Sequence, residues 1–189
     1  MLRRILVVSG STKGRGFFEK LVKEFGMFEI ACASDSRQAR EALQQNDHEL
    51  CIVNPPIIGG NGLEFVEYTA KNFSCGLIVV LKGETDERVV ARAEEAGAFV
   101  VKTPISKTNF YQAFRFACAS HNRMRQIQAE NSKLTRKIED IGMVDRAKCV
   151  LIQVLGMTEP QAHRYIEKQA MDMRVSKRQV AEELLKTYE

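Results

Sequence analysis

Residues 76–104 read GLIVVLKGETDERVVARAEEAGAFVVKTP. The stretch opens on a continuous apolar run at 77–81 and closes on another at 98–101, with Val89, Val90, Ala93 and Ala96 between them at helical spacing. A short run without polar alternation marks a strand covered on both faces, and an intervening helix returns the chain for parallel pairing. Towards the N-terminus the same unit recurs. Apolar runs lie at 5–8, 28–33 and 50–53, separated by helical patterns at Phe17, Leu21 and Val22, at Ala39, Ala42 and Leu43, and at Leu63, Val66 and Ala70. Residues 1–120 therefore predict an α/β fold, a doubly wound five-stranded parallel sheet. Ligands of such sheets sit beyond the carboxyl ends of the strands, which singles out Ser9, Gly10, Asn54, Lys82, Lys102, Thr103 and Pro104.

Beyond Pro104 the pattern turns helical and hardly breaks before Gly142. Met124, Asn131 and Ile138 repeat every seven residues, and Ile127, Leu134 and Ile141 follow each by three, which is the a/d seam of a coiled coil over residues 121–142. Asn131 at an a position suits a parallel pair, where a polar side chain meets its own copy and fixes the register; on a lone helix it would simply face solvent. Residues 143–189 form a third region, a small three-helix bundle. Gly156 is placed to end the long helix, and Thr158 to Gln161 and Ser176 to Gln179 both have capping-box spacing, with Pro160 in the first turn. The apolar stripes are Ala147, Val150, Leu151 and Val154, then Ala162, Tyr165, Ile166, Ala170 and Met173, then Val180, Ala181, Leu184 and Leu185.

Composition narrows the function classes. The net charge of +4 is spread thinly over all three regions, so any polyanion contact must come from local clustering. No apolar run approaches the roughly 20 residues of a membrane span, and the first residues lack a signal-peptide pattern. Five scattered cysteines suit reduced, buried thiols in a cytoplasmic protein without disulfides. Gly10, Gly14 and Gly16 lack the closing Gly-Lys-Ser/Thr of a phosphate loop and read as a turn entering a helix. His48, His121 and His163 stand apart from any metal-site or nucleophilic arrangement, so neither an enzyme, nor a metal, nor a cofactor is expected. Met157, Met171 and Met173 read as core filler.

Two resemblances now follow from particular residues. Arg146-Ala147-Lys148, Leu151, Gly156-Met157-Thr158-Glu159, Ala162, Ala170-Met171-Asp172, Arg174, Val180-Ala181 and Leu184-Leu185 make residues 125–189 similar to the ANTAR domain, while the first 120 residues resemble the response-regulator receiver domain. The ANTAR resemblance implies a dimeric transcription antiterminator whose bundles bind tandem RNA hairpins and keep a terminator from forming. The receiver resemblance implies an Asp nucleophile after strand 3, a carboxylate pair for magnesium after strand 1, a hydroxyl after strand 4 and a Lys directly before Pro after strand 5. Here those places hold Asn54, Ser9-Gly10, Lys82-Gly83 and Thr103, with Lys102 one position early. A neutral amide cannot attack phosphorus, and Mg²⁺ needs hard anionic oxygens. No Asp or Glu lies between Leu50 and Gly62 to take over, so a pseudo-receiver without the Asp-phosphate switch is expected. Lys82 and Lys102 either draw an anion to the emptied pocket or pair locally.

RNA contacts require cations off the apolar stripes. Arg164 and Lys168 share a helix face; Arg174, Lys177 and Arg178 gather at the turn into the last helix, whose N-terminus offers backbone donors; Lys148 points outward from the first. Each is equally readable as a surface charge paired with Glu167 or Asp172. Tyr165 fits core packing better than base stacking. The expectation is a homodimeric RNA-hairpin binder whose pseudo-receiver is open to a regulatory protein. Its rivals are a protein-recruitment module that never meets nucleic acid and a DNA-binding helix-turn-helix.

Overall fold

A computed structural model describes residues 3–188. The chain falls into two compact units, Met1–Gln126 and Ile127–Glu189.

In the first unit, β1 (Arg3–Val8), α1 (Thr12–Lys23), β2 (Phe28–Ala33), α2 (Ser36–Gln45), β3 (Leu50–Val53), α3 (Gly62–Asn72), β4 (Gly76–Leu81), α4 (Glu87–Glu95) and β5 (Ala98–Lys102) alternate as the apolar runs require. All pairings are parallel, in the order β2-β1-β3-β4-β5. The pleat divides each strand between two cores. Leu6, Val8, Cys51, Val53, Leu77 and Val79 join Ala39, Leu43, Phe65, Val66 and Ala93 of α2, α3 and α4. Ile5, Val7, Leu50, Ile52, Ile78 and Val80 meet Phe18, Leu21 and Val22 of α1 and Phe110, Phe114 and Ala117 of α5 (Lys107–Leu155). The chain order reverses at β1, so the crevice beyond the sheet lies between the ends of β1 and β3, at Ser9 and Asn54.

The second unit contains the C-terminal part of α5, then α6 (Glu159–Met173) and α7 (Lys177–Tyr188). Gly156 at φ 65° follows the last residue of α5. Both capping boxes form: the Thr158 N–H donates to Gln161 Oε1 at 2.8 Å, and the Ser176 N–H donates to Gln179 Oε1 at 3.0 Å while the Gln179 N–H returns to Ser176 Oγ at 3.2 Å. Ala147, Leu151, Ala162, Ile166, Ala170, Val180, Ala181 and Leu185 build the core, with Tyr165 packed against it. Four buried alanines let three short helices approach closely enough to close a core from few large side chains.

Several expectations need correcting. Val154 and Met173 are exposed rather than core-facing, because they stand at the C-terminal ends of α5 and α6, and Met171 is 74% exposed on a face of α6 that carries no core residue of its unit. Of the five thiols only Cys51 and Cys118 are buried; Cys32 and Cys149 are exposed. Burial pushes the Cys118 thiol up to about 12. No helix among the described residues is long and apolar enough to cross a membrane.

His48 and His121 are buried, and burial lowers the pKa of both, with Arg4 acting on His48 and Arg125 and Arg3 on His121 in the same direction against nearby carboxylates. Both imidazoles fold neutral, so the unfolded chain binds protons at higher pH than the folded one. Their contribution is intact above the ordinary histidine pKa of about 6.5 and is lost as pH falls through the lowered native values. Urea midpoints measured between pH 7.5 and about 5 should fall for the wild type, and less steeply for His48→Gln and His121→Gln.

Candidate functional site

At the carboxyl ends of β1 and β3 the crevice holds a neutral hydrogen-bonded pair, Ser9 and Asn54. Ser9 is fully buried; its N–H donates to the Ala33 carbonyl at 3.0 Å, and its Oγ accepts from Asn54 Nδ2 at 2.9 Å. The Arg15 guanidinium reaches back from the first turn of α1 to the Ser9 carbonyl at 2.7 Å. Gly10 donates its N–H to the Pro56 carbonyl at 2.9 Å, and a Cβ there would lie 2.8 Å from that oxygen. Gly14 backs directly onto the Ser9–Asn54 pair, where a Cβ would stand 2.7 Å from Asn54 Nδ2 and 2.8 Å from Ser9 Oγ. These glycines therefore allow the β1–α1 turn to seat on the pair. The sequence reading missed Arg15, which only its one-turn separation from Thr12 and its place after Ser9 would have flagged.

The donor set here is a hydroxyl and an amide, with no carboxylate, which does not fit Mg²⁺. Among the described residues no group of three or more His, Cys, Asp or Glu side chains is placed to hold a metal. Lys102 does not turn into the crevice; its Nζ donates to Glu87 Oε1, the first residue of α4, at 2.8 Å. Thr103, joined to Pro104 by a cis peptide bond, and Lys82 are exposed. The anion-attracting role weighed for the two lysines is thus withdrawn for Lys102.

On the second unit the six cations divide into two sets. Lys148 is held between Asp145 at 2.7 Å and Glu159 at 2.9 Å, and its pKa is raised by those hydrogen bonds. Lys177 pairs with Glu167, which also faces His163 at 3.3 Å, and the carboxyl of Glu167 is lowered chiefly by Lys177. Arg178 donates to Asp140 and to Glu182, both at 2.8 Å, with Glu139 at 3.9 Å, and its pKa is raised by the Asp140 bond first. These three tie α7 to α5 and α6, and α5 to the start of α6. Arg164, Lys168 and Arg174 form the other set: all are exposed, and none of the three side chains makes an ion pair or hydrogen bond with a described residue.

The seam residues Met124, Ile127, Leu134, Ile138 and Ile141 are exposed along one stripe of α5, together with Asn131. The next two positions of the stripe are Asp145 and Lys148, which pair with each other and interrupt the apolar stripe after Ile141, before the exposed Ile152 and Leu155. The bundle takes Ala147 and Leu151 from another face of the same helix.

Residues 132–185 match the ANTAR domain family. Over 187 residues the chain is 29% identical to the transcriptional regulatory protein PdtaR of Mycobacterium tuberculosis, a match that covers 98% of this chain and 90% of the relative. The N-terminal part has the receiver fold. It superposes on the signal receiver domain of an HD domain-containing protein from Pseudomonas fluorescens Pf-5 with a TM-score of 0.59 at 19% identity, covering 66% of this chain and 93% of that one. A CheY-like receiver domain from Methanospirillum hungatei JF-1 gives a TM-score of 0.59 at 17% identity, with 66% and 99% covered. The receiver domain of a Luxo repressor protein from Vibrio parahaemolyticus gives 0.61 at 15%, with 67% and 98% covered.

Two outcomes follow from the crevice. Asn54→Asp, incubated with acetyl phosphate and Mg²⁺, should show no phosphoryl adduct by intact mass, because one restored carboxylate still lacks the magnesium acids and a lysine turned into the crevice. Gly14→Ala should destabilise the first unit by about 1–3 kcal/mol in urea unfolding, since the new methyl meets both members of the Asn54–Ser9 hydrogen bond.

Proposed function

We propose that this protein, a receiver-like domain joined to an ANTAR domain, is an RNA-binding transcription antiterminator. Two chains pair along the α5 stripe from Met124 to Ile141, each presents its bundle to one hairpin of a tandem pair in a leader transcript, and occupied hairpins keep the terminator from forming. The observation that carries this reading is the split among the cations: inside the ANTAR match, the side chains of Arg164, Lys168 and Arg174 are exposed and paired with no described residue, while Lys148, Lys177 and Arg178 are engaged in ion pairs between the helices. Phosphates compete poorly for cations already bonded to carboxylates, and readily for free ones. Binding by Lys148, Lys177 or Arg178 would therefore come with loss of bundle contacts.

The pairing reading is supported by five large apolar side chains on one stripe, each open to water in the single chain. A dimer gains because the second hairpin binds at the effective concentration set by the first. On this reading the first unit is a pseudo-receiver. The Asn54–Ser9 hydrogen bond replaces the charged phosphorylation site, and control passes to abundance or to a regulatory protein that docks on the unit in the cytoplasm. It performs no catalysis.

Two measurements test the proposal. In gel shifts with a two-hairpin RNA, the triple variant Arg164→Ala, Lys168→Ala, Arg174→Ala should lose most binding while keeping its melting curve, whereas Arg178→Ala should lower the melting temperature first; equal affinity of the triple variant and wild type would exclude this surface. Ile138→Asp should sediment as a monomer and lose about 10²-fold or more in affinity for the tandem RNA, with single-hairpin affinity unchanged.

A further inference from the structure

Charge does not account for everything on the outer face of α6. Arg164 and Lys168 stand one turn apart, and Met171 takes the next place on the same stripe, three residues on, 74% exposed. The core residues of this helix, Ala162, Ile166 and Ala170, lie on a different stripe, so the Met171 thioether contributes nothing to bundle packing. One residue past the helix, Arg174 adopts the left-handed conformation, φ 55° and ψ 40°. It is the one described non-glycine residue with positive φ. Glycine is the usual occupant of this helix-ending position because an L side chain is strained there. Here the position holds an arginine, and no described residue bonds its guanidinium. Residues kept in unfavourable backbone regions cluster where function outweighs stability.

Resting on the RNA reading above, we propose that Arg164, Lys168, Met171 and Arg174 are one contact strip for a stem-loop, in which the three cations take backbone phosphates and the Met171 thioether packs on the face of an unstacked loop base. The strip runs roughly 15 Å along the helix, long enough to follow several phosphates. Loop bases are the part of a hairpin whose faces are open, and a flexible, polarizable thioether adapts to the face of any of them. Asp172, exposed beside Met171, breaks the positive surface and keeps the phosphate path to one side. A strip of cations alone would bind any polyanion; the exposed apolar side chain among them is what favours a partner with both phosphates and open aromatic faces. Met171 is the specificity element and the cations are the affinity element.

The test uses full-length protein and synthetic RNAs carrying two stem-loops, with loops of adenosine, of uridine, or of abasic nucleotides. Met171→Ser, exposed and so without effect on the melting curve, should weaken binding to the better of the two base-bearing RNAs about three- to tenfold. Its affinity for the abasic RNA and its salt dependence should match wild type. Arg164→Ala, Lys168→Ala and Arg174→Ala should weaken all three RNAs alike and lower the slope of log K against log salt by roughly 0.7–0.9 each. Arg174→Gly should give the same RNA loss together with a higher melting temperature, the signature of a strained residue retained for contact. If Met171→Ser weakens base-bearing and abasic RNAs equally, or neither, the strip is overturned while the RNA reading stands. If wild type binds none of the three RNAs, the antitermination reading itself fails and the strip with it.

Discussion

One helix has to serve more than one hydrophobic core, and the rest of the structure follows from how α5 does so. Near its start, Phe110, Phe114, Ala117 and Cys118 close one side of the parallel sheet. Further on, Met124 to Ile141 continue an apolar stripe at the same three- and four-residue spacing, although these residues have no core of their own in the single chain. At Asp145 and Lys148 the stripe turns polar, and Ala147 and Leu151 carry the burial on another face into the bundle. Such a helix has no single amphipathic face over its whole length. The Asp145–Lys148–Glu159 chain of charges sits where the face changes, which interrupts the seam and also fixes the start of α6.

The sheet was legible from the sequence because parallel strands buried on both faces must be continuously apolar, and no other element of this length is. The helix ends were legible for an equally local reason: Gly156, the Thr158 box and the Ser176 box act within four residues of themselves. The charged side chains were not. Arg178 meets Asp140 across 38 residues of sequence, and Lys102 meets Glu87 across 15, and nothing in a linear pattern distinguishes those partners from other carboxylates within reach. Met171 and Met173 were misread for a related reason. Met171 is one position off the narrow apolar stripe of α6 and falls in solvent whatever its hydropathy, while Met173 follows the stripe but is the last residue of the helix, past the buried Ala170.

In the crevice of the first unit a neutral pair, Ser9 and Asn54, stands at the ends of β1 and β3. A cluster of carboxylates around an empty metal site repels itself, and a fold that keeps one must tolerate that strain until a cation binds. Here the amide of Asn54 and the hydroxyl of Ser9 satisfy each other at 2.9 Å, and Arg15 caps the backbone beside them. Among the described residues no buried side-chain polar atom lacks a hydrogen-bond partner. Gly14 seats the β1–α1 turn so closely on this neutral pair that even a methyl group there would stand 2.7 Å from Asn54 Nδ2 and 2.8 Å from Ser9 Oγ.

That close fit bears on where regulation can act. A two-state switch needs an element whose two arrangements differ by a few kcal/mol and a ligand that prefers one. The first unit has its crevice filled by its own side chains, so a ligand there would have to displace satisfied hydrogen bonds. The second unit is different: beside its apolar core, its helices are joined at the surface by ion pairs to solvent-facing carboxylates, individually weak and sensitive to salt. Its free cations lie within a few residues of those pairs, with Arg174 three residues from Lys177 and four from Arg178, and Lys168 next to Glu167. A polyanion drawn to the free set raises local negative potential beside the paired set, and so alters the stability of the bundle that carries it. On the proposed reading, binding and bundle stability would be coupled through neighbouring charges within the second unit itself.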